Sequence, residues 1–309
     1  MPAPKTDKAA ATGGLRSAIF RPSRRWALLL VALLIIGGAA CGGYAVWQQI
    51  RGEVAASDDY CLTPQQIEIT PPPPWVRGDV KAEALRSAGI DAPLSILDDD
   101  LVQRIQTAFS LHPWVASVGR VSKQHPAHVD VELVYRRPVT MVEVHENGAD
   151  GLYPVDIDGV LLPSNDFSPL EARGYPRLAG VESSPLGTVG SRWGDPVVAG
   201  GARIAMALTA HWAEWKLWSI HWLKPTSGSD PSAPADFELV TGAGQSIHWG
   251  AAPANEPPGE PTSDQKVAQL KSFVDQHGSL DDPSAKSLDL SQPGGAARTA
   301  KANESRKNE

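Results

Sequence analysis

Side chains of a type and spacing that could do chemistry occur in a few places in this sequence. They are the carboxylates Asp156 and Asp158 before Gly159, the imidazoles His125 and His128, and the indoles Trp212, Trp215, Trp218 and Trp222. Asp156 to Val160 reads as an Asp-Gly turn between short extended runs, Tyr153 to Val155 and Val160 to Leu162, because glycine admits the positive φ that a tight hairpin needs. His125 falls in a turn, and His128 opens a strand whose outward positions continue through Asp130 and Glu132, so a solvated strand face accounts for this pair better than a metal site. Trp212, Trp215 and Trp218 lie three apart, the spacing of a helical stripe that belongs to a core or a docking surface. No Ser, His and Asp set stands out as a nucleophile system. Cys41 and Cys61 offer no metal-ligand spacing and no expected disulfide. The expectation is a protein without catalytic residues, metal or cofactor.

The elements that must position these residues begin with a membrane segment. From Trp26 to Trp47 the chain carries no charge, and Arg16, Arg21, Arg24 and Arg25 precede it. Twenty-two residues at about 1.5 Å each span about 33 Å, enough for a hydrocarbon core of about 30 Å. Six basic residues and one acid stand in the first twenty-five positions, against twenty-two and thirty-four in the rest. Basic flanks stay cytoplasmic, which predicts a short internal N-terminus and a large external C-terminal part. A cleavable signal peptide would have a shorter apolar core before its small-residue site, whereas this run continues to Ile50. The external part is acidic and lacks the basic footprint that phosphate backbones attract, so nucleic acid is excluded as a partner.

Beyond a polar stretch, Ile67 to Thr70 alternates as a strand, and Pro71 to Pro74 fix an extended exit. Val80, Ala84 and Leu85 share one helical face that stops at Gly89. Leu101, Val102, Ile105, Ala108 and Phe109 share another, which Pro113 ends. Val115 to Lys123 and His128 to Arg136 have the period of strands. The predicted order is strand, helix, helix, strand, strand. Further strands are expected at Val139 to His145 and Ser219 to Leu223, a helix of Trp and Ala from about Gly201 to Trp218, and a hairpin of Phe237 to Val240 with Gln245 to Trp249. A helix near Asp264 to His277, with Val267, Leu270 and Val274 on one face, precedes a last strand of Ser287, Leu288, Asp289 and Leu290.

The stretch HPWVASVGRVSKQHPAHVDVELVYRRPV, with the element order around it, resembles the POTRA module of outer-membrane assembly proteins and of the division proteins called FtsQ or DivIB. Arg136, Arg137 and Pro138 stand where that family closes the module with a basic-Pro pair. After them come neither a repeat nor a barrel. Pro176, Arg177, Leu178, Ala179 and Gly180 are similar to a Pro-x-Leu-x-Gly element of the division family, and Leu288, Asp289 and Leu290 are similar to its final strand. The resemblance implies an α+β fold divided as 1–25 disordered cytoplasmic segment, 26–50 transmembrane helix, 51–66 stalk, 67–138 POTRA module, 139–291 β domain and 292–309 disordered tail. The stretches 225–235 and 251–263, rich in Pro, Ser and Gly, are expected to be mobile insertions.

The same resemblance implies a scaffold in the inner membrane at the division site, coordinating septal peptidoglycan synthesis with small bitopic coiled-coil partners of FtsB and FtsL type. Partners would add a strand at the edge formed by Leu288, Asp289 and Leu290. On this reading, changing Leu288 and Leu290 to aspartate is expected to abolish capture without unfolding the domain. Two alternatives have sequence support. Gly38 to Cys41 loosely resembles the box before a lipidated cysteine, which would make a surface-binding lipoprotein anchored at Cys41. Asp156 to Val160 is spelled like the first motif of haloacid-dehalogenase-type phosphatases, in which the first aspartate attacks phosphorus and the second handles the leaving-group proton. That motif should follow a buried parallel strand, and Pro154 makes the preceding run a poor one.

Overall fold

A computed structural model describes residues 24–55, 59–90, 94–146, 149–225, 234–282 and 288–294. Residues 1–23 of the expected cytoplasmic segment, most of the 225–235 insertion and most of the tail lie outside them, and Arg24 and Arg25 belong to the helix that follows. The chain divides after Ser57 into two units. The first contains one helix, α1 (Arg24–Ala55), whose stretch Leu28–Gln48 is long and apolar enough to cross a membrane. Leu28 to Trp47 are exposed along it. This is the face that a hydrocarbon solvent favours, because the backbone groups are already bonded within the helix.

The second unit holds two hydrophobic cores. Around the first lie β1 (Cys61–Leu62), β2 (Ile67–Ile69), α2 (Val80–Ser87), β3 (Leu94–Ser95), α3 (Leu101–Ser110), β4 (Val115–Gln124) and β5 (His128–Tyr135). The strand, helix, helix, strand, strand order read from the sequence is present with two short strands added, β1 before it and β3 between the helices. β5 is the central strand of a three-stranded sheet, parallel to β2 and antiparallel to β4. Asp79 caps α2, its side chain accepting from Ala82 N at 3.0 Å, which satisfies one of the orphan donors of the first turn. The apolar stripes of the two helices, Val80, Ala84 and Leu85 with Leu101, Ile105, Ala108 and Phe109, bury against Val129, Val131 and Leu133 of β5. Part of the expected stalk belongs to this lobe, since β1 pairs antiparallel with β3 and Leu62 is buried.

The second lobe is a six-stranded mixed sheet. Its strands are β6 (Thr140–Glu146), β7 (Ala149–Val155), β8 (Arg177–Ala179), β9 (Leu217–Leu223), β10 (Asp236–Thr241) and β11 (Ser246–Ala251), in the order β11-β10-β9-β8-β6-β7. Pro154 is tolerated because β7 pairs only with β6 and lies at the sheet edge. A short helix, α4 (Pro169–Ala172), precedes β8, while α5 (Pro196–Leu208) and α6 (Ser263–His277) supply core residues. α5 approaches the sheet closely: a Cβ at Gly201 would stand 2.5 Å from Leu178 Cδ1.

The sheet faces follow from the pairing register. Leu178, Ile220, Leu239 and Ile247 run across neighbouring strands in one fully buried row. The opposite face carries polar side chains, among them Glu238, His221 and His248. The expected helix over Gly201 to Trp218 ends instead at Leu208, and a run of turns leads to β9. The spacing of the tryptophans is therefore not helical in origin. Trp215 is core, Trp212 and Trp222 pack against it, and Trp218 projects from β9 under the Arg177 guanidinium, 4.4 Å from the ring centroid. The 251–263 stretch is also more fixed than an insertion need be. Ala251 and Ala252 are buried, and Glu260 accepts from Ala251 N at 2.7 Å and pairs with the fully buried Lys266.

Candidate functional site

The site with the most distinctive chemistry lies at the β11 end of the sheet. β11 arises from a hairpin in which Thr241 O accepts from Gly244 N at 2.9 Å, and the hairpin register sets Glu238 opposite His248. On its other side, Leu288 to Asp289 to Leu290 runs parallel to β11 through one bridge. His248 N donates to Leu288 O at 3.3 Å, and Leu290 N donates to His248 O at 2.9 Å. Those two bonds point inward from Leu288 and Leu290, so the N–H and C=O of Asp289 between them face away from the sheet.

The imidazole of His248 joins three chain segments. Its Nδ1 lies 2.7 Å from Asp289 Oδ1, and its Nε2 lies 2.8 Å and 3.0 Å from the two oxygens of Asp236 on β10. Asp289 Oδ1 also accepts from Ser291 N at 3.0 Å and from Ser291 Oγ at 2.6 Å. Burial works against the charged imidazole, but the hydrogen bonds and charges of Asp236 and Asp289 outweigh it and hold the His248 pKa above 6.5. For Asp289, burial works against the carboxylate, yet the bonds from Ser291 and His248 and the charge of His248 carry its pKa below 3.8.

The side chains flanking Asp289 belong to the fold. Leu290 is completely buried and Leu288 packs partly against the same core. A Leu290 to aspartate change would bury a carboxylate there, so the double replacement expected to spare the domain would report on folding rather than on the edge.

The other sequence-level candidates are separated from this edge. Asp156 is buried and has both oxygens engaged. Oδ1 accepts from Asp158 N and Val160 N, each at 2.9 Å, and Oδ2 accepts from Arg136 Nη1 at 2.7 Å. Gly159 has φ of 70°, and Asp156 N donates to Val160 O at 3.1 Å, the geometry of an Asp-Gly turn. Three of the roughly four acceptor sites of this buried carboxylate are thus taken by the turn and by Arg136. Asp158 lies outside on the turn, 3.9 Å from Arg192. Cys41 is exposed in the middle of α1, and the helix continues without interruption for fourteen residues to Ala55.

His128 lies 2.9 Å from Asp130 and 3.5 Å from Glu68, and one atom of each forms a possible cation trio within 4.8 Å. The trio sits on the open face of the first lobe, where its groups already satisfy one another. His125 meets the Tyr60 ring edge-on, with centroids 5.4 Å apart.

The role of His248 escaped sequence reading. It sits in a strand whose alternation is fully explained by burial of Ile247 and Trp249, and its two acidic neighbours lie 12 and 41 residues away. The hairpin register could have pointed to β10, but nothing local pointed to Asp289. No family model matches the chain, and no curated protein matches it.

Proposed function

We propose that this protein is a bitopic scaffold of the FtsQ/DivIB type in the cell-division machinery. On this reading its basic N-terminus is cytoplasmic and α1 spans the inner membrane. The large acidic part lies outside, where it binds small bitopic partners of FtsB and FtsL type and so coordinates septal peptidoglycan synthesis. What carries the reading is the order of parts in one chain: an apolar helix behind a basic leader, then a strand-helix-helix-strand-strand lobe, then a mixed sheet whose last segment lies at an edge. An outward Asp289 N–H and C=O on that edge is the chemistry strand addition requires, since an incoming segment gains its affinity from backbone bonds. The engaged oxygens of Asp156 favour a binding role over phosphoryl transfer.

Two measurements test the proposal. A fluorescent fusion should accumulate at midcell in dividing cells, and a uniform envelope signal would remove the division reading. A photo-crosslinking residue at Gln292, beside the edge, should capture small bitopic membrane proteins, while one at the exposed Leu170 should not. Equal capture at both positions, or none at Gln292, would remove the edge.

A further inference from the structure

We infer that His248 is a proton-operated clasp: as an imidazolium it fastens the Leu288–Leu290 segment to β11, and loss of its proton releases that segment. The inference rests on the geometry of the edge and holds whether or not a partner adds a strand there.

Both ring nitrogens face carboxylate oxygens, at 2.7 Å to Asp289 and 2.8 Å to Asp236. Only the imidazolium carries two N–H donors; the neutral ring has one donor and one lone pair. Deprotonation would therefore set a lone pair against a carboxylate at one of the two contacts. The side chain of His248 is only 11% exposed, so water cannot readily replace the lost bond. Asp289 is the residue through which this loss reaches the terminal segment, which keeps just two backbone bonds to β11 and the buried Leu290.

The groups around the imidazole act in one direction. β10 contributes Asp236 and, directly opposite in register, Glu238; the terminal segment contributes Asp289. His221 of β9 is next in the row beyond Glu238 and is held by Ser219 Oγ at 2.8 Å. On the inner side β11 presents Ile247 and Trp249, which do not titrate, and the ion pair of Lys266 with Glu260 is engaged at Ala251. Three carboxylates, with no fixed cation contacting the ring among the described residues, favour the closed, protonated state. A threshold raised by Asp236 and Asp289 against the effect of burial is thereby coupled to the seating of one short segment.

The sign of the dependence is fixed. Because the folded pKa of His248 lies above 6.5, the clasp contributes fully below that value and is lost as pH rises through the raised one. At the acid end Asp289, with its pKa below 3.8, keeps its contribution until pH falls through that lowered value.

The test is amide hydrogen exchange on the full chain in detergent micelles, from pH 5.5 to 8.5 and corrected for intrinsic rates. A peptide covering residues 288–294 is compared with the β10 peptide 237–241 as internal reference. Protection of the terminal peptide relative to the reference should fall with pH, by up to about tenfold per pH unit between 6.5 and the raised His248 pKa, and level off above it. In His248→Gln it should be low and independent of pH. A flat wild-type profile, or an unchanged fall in His248→Gln, overturns the clasp. Should His248→Gln also deprotect the reference peptide, nuclear magnetic resonance titration of the His248 ring decides. Asp289→Asn should lower its pKa, and an unmoved titration overturns the inference.

Discussion

Two carboxylates tie distant parts of the second unit together, one between the lobes and one at the sheet edge, and the cations they meet set them apart. Asp156 receives the Arg136 guanidinium at the end of β5, with the two side chains 5% and 17% exposed. Asp289 receives the His248 imidazole at the β11 edge of the sheet. A guanidinium keeps its proton over the whole range in which proteins work, whereas an imidazole titrates near neutrality. The first tie is permanent and the second is conditional. The seam is further filled by apolar contacts, because Leu162 of the second lobe belongs to the first core and the Phe167 ring lies tilted by 45° against Trp114, with centroids 6.1 Å apart. Among the described residues, the terminal segment contributes Leu290 and a partly buried Leu288 to the core. A seam held by packing and a fixed charge suits a rigid body, and an edge held by one bridge and a titratable group suits a part that moves.

The comparison can be broken most forcefully at the seam. Trp114 is 1% exposed and its Nε1 donates to Asp166 Oδ2 at 2.7 Å across the lobes. Trp114→Ala should cost about 3–5 kcal/mol in chemical denaturation, and a negligible change would contradict its placement. Arg136→Met should cost about 3 kcal/mol by leaving the Asp156 carboxylate buried without its cation, with little change in that cost between pH 6 and 9. At the edge, Leu290→Ala should cost about 2–3 kcal/mol in the same measurement. His248→Gln should cost about 1–2 kcal/mol at pH 6, and the difference from wild type should shrink as pH rises. The smallest effect is expected from Arg77→Ala. Its ion pair with Glu171 joins two exposed side chains across the lobes, so no shift in melting should be resolved.

The first lobe was legible because its elements announce themselves locally. Val80, Ala84 and Leu85 repeat at helical spacing, Val129, Val131 and Leu133 alternate, and both patterns became buried faces. The Asp156 turn was legible for the same reason, since Asp-Gly chemistry acts within five residues. The tryptophan stripe misled because a three-residue interval can arise across turns and a strand, Trp212 and Trp215 lying in the turns and Trp218 in β9. The Pro-rich 251–263 stretch looked mobile because its anchors, the bond from Ala251 N to Glu260 and the pairing of Glu260 with Lys266, are not visible in its composition.

The sequence by itself determined the apolar span, the charge asymmetry around it, and the kinds of element that follow, because periodicity and propensity are properties of neighbouring residues. Only the tertiary structure decided that Asp289 meets His248, that Arg136 meets Asp156, and that Leu290 closes a core instead of lining a free surface. Those outcomes depend on strand order and register, which bring together residues dozens of positions apart and are specified by the packing of the whole sheet.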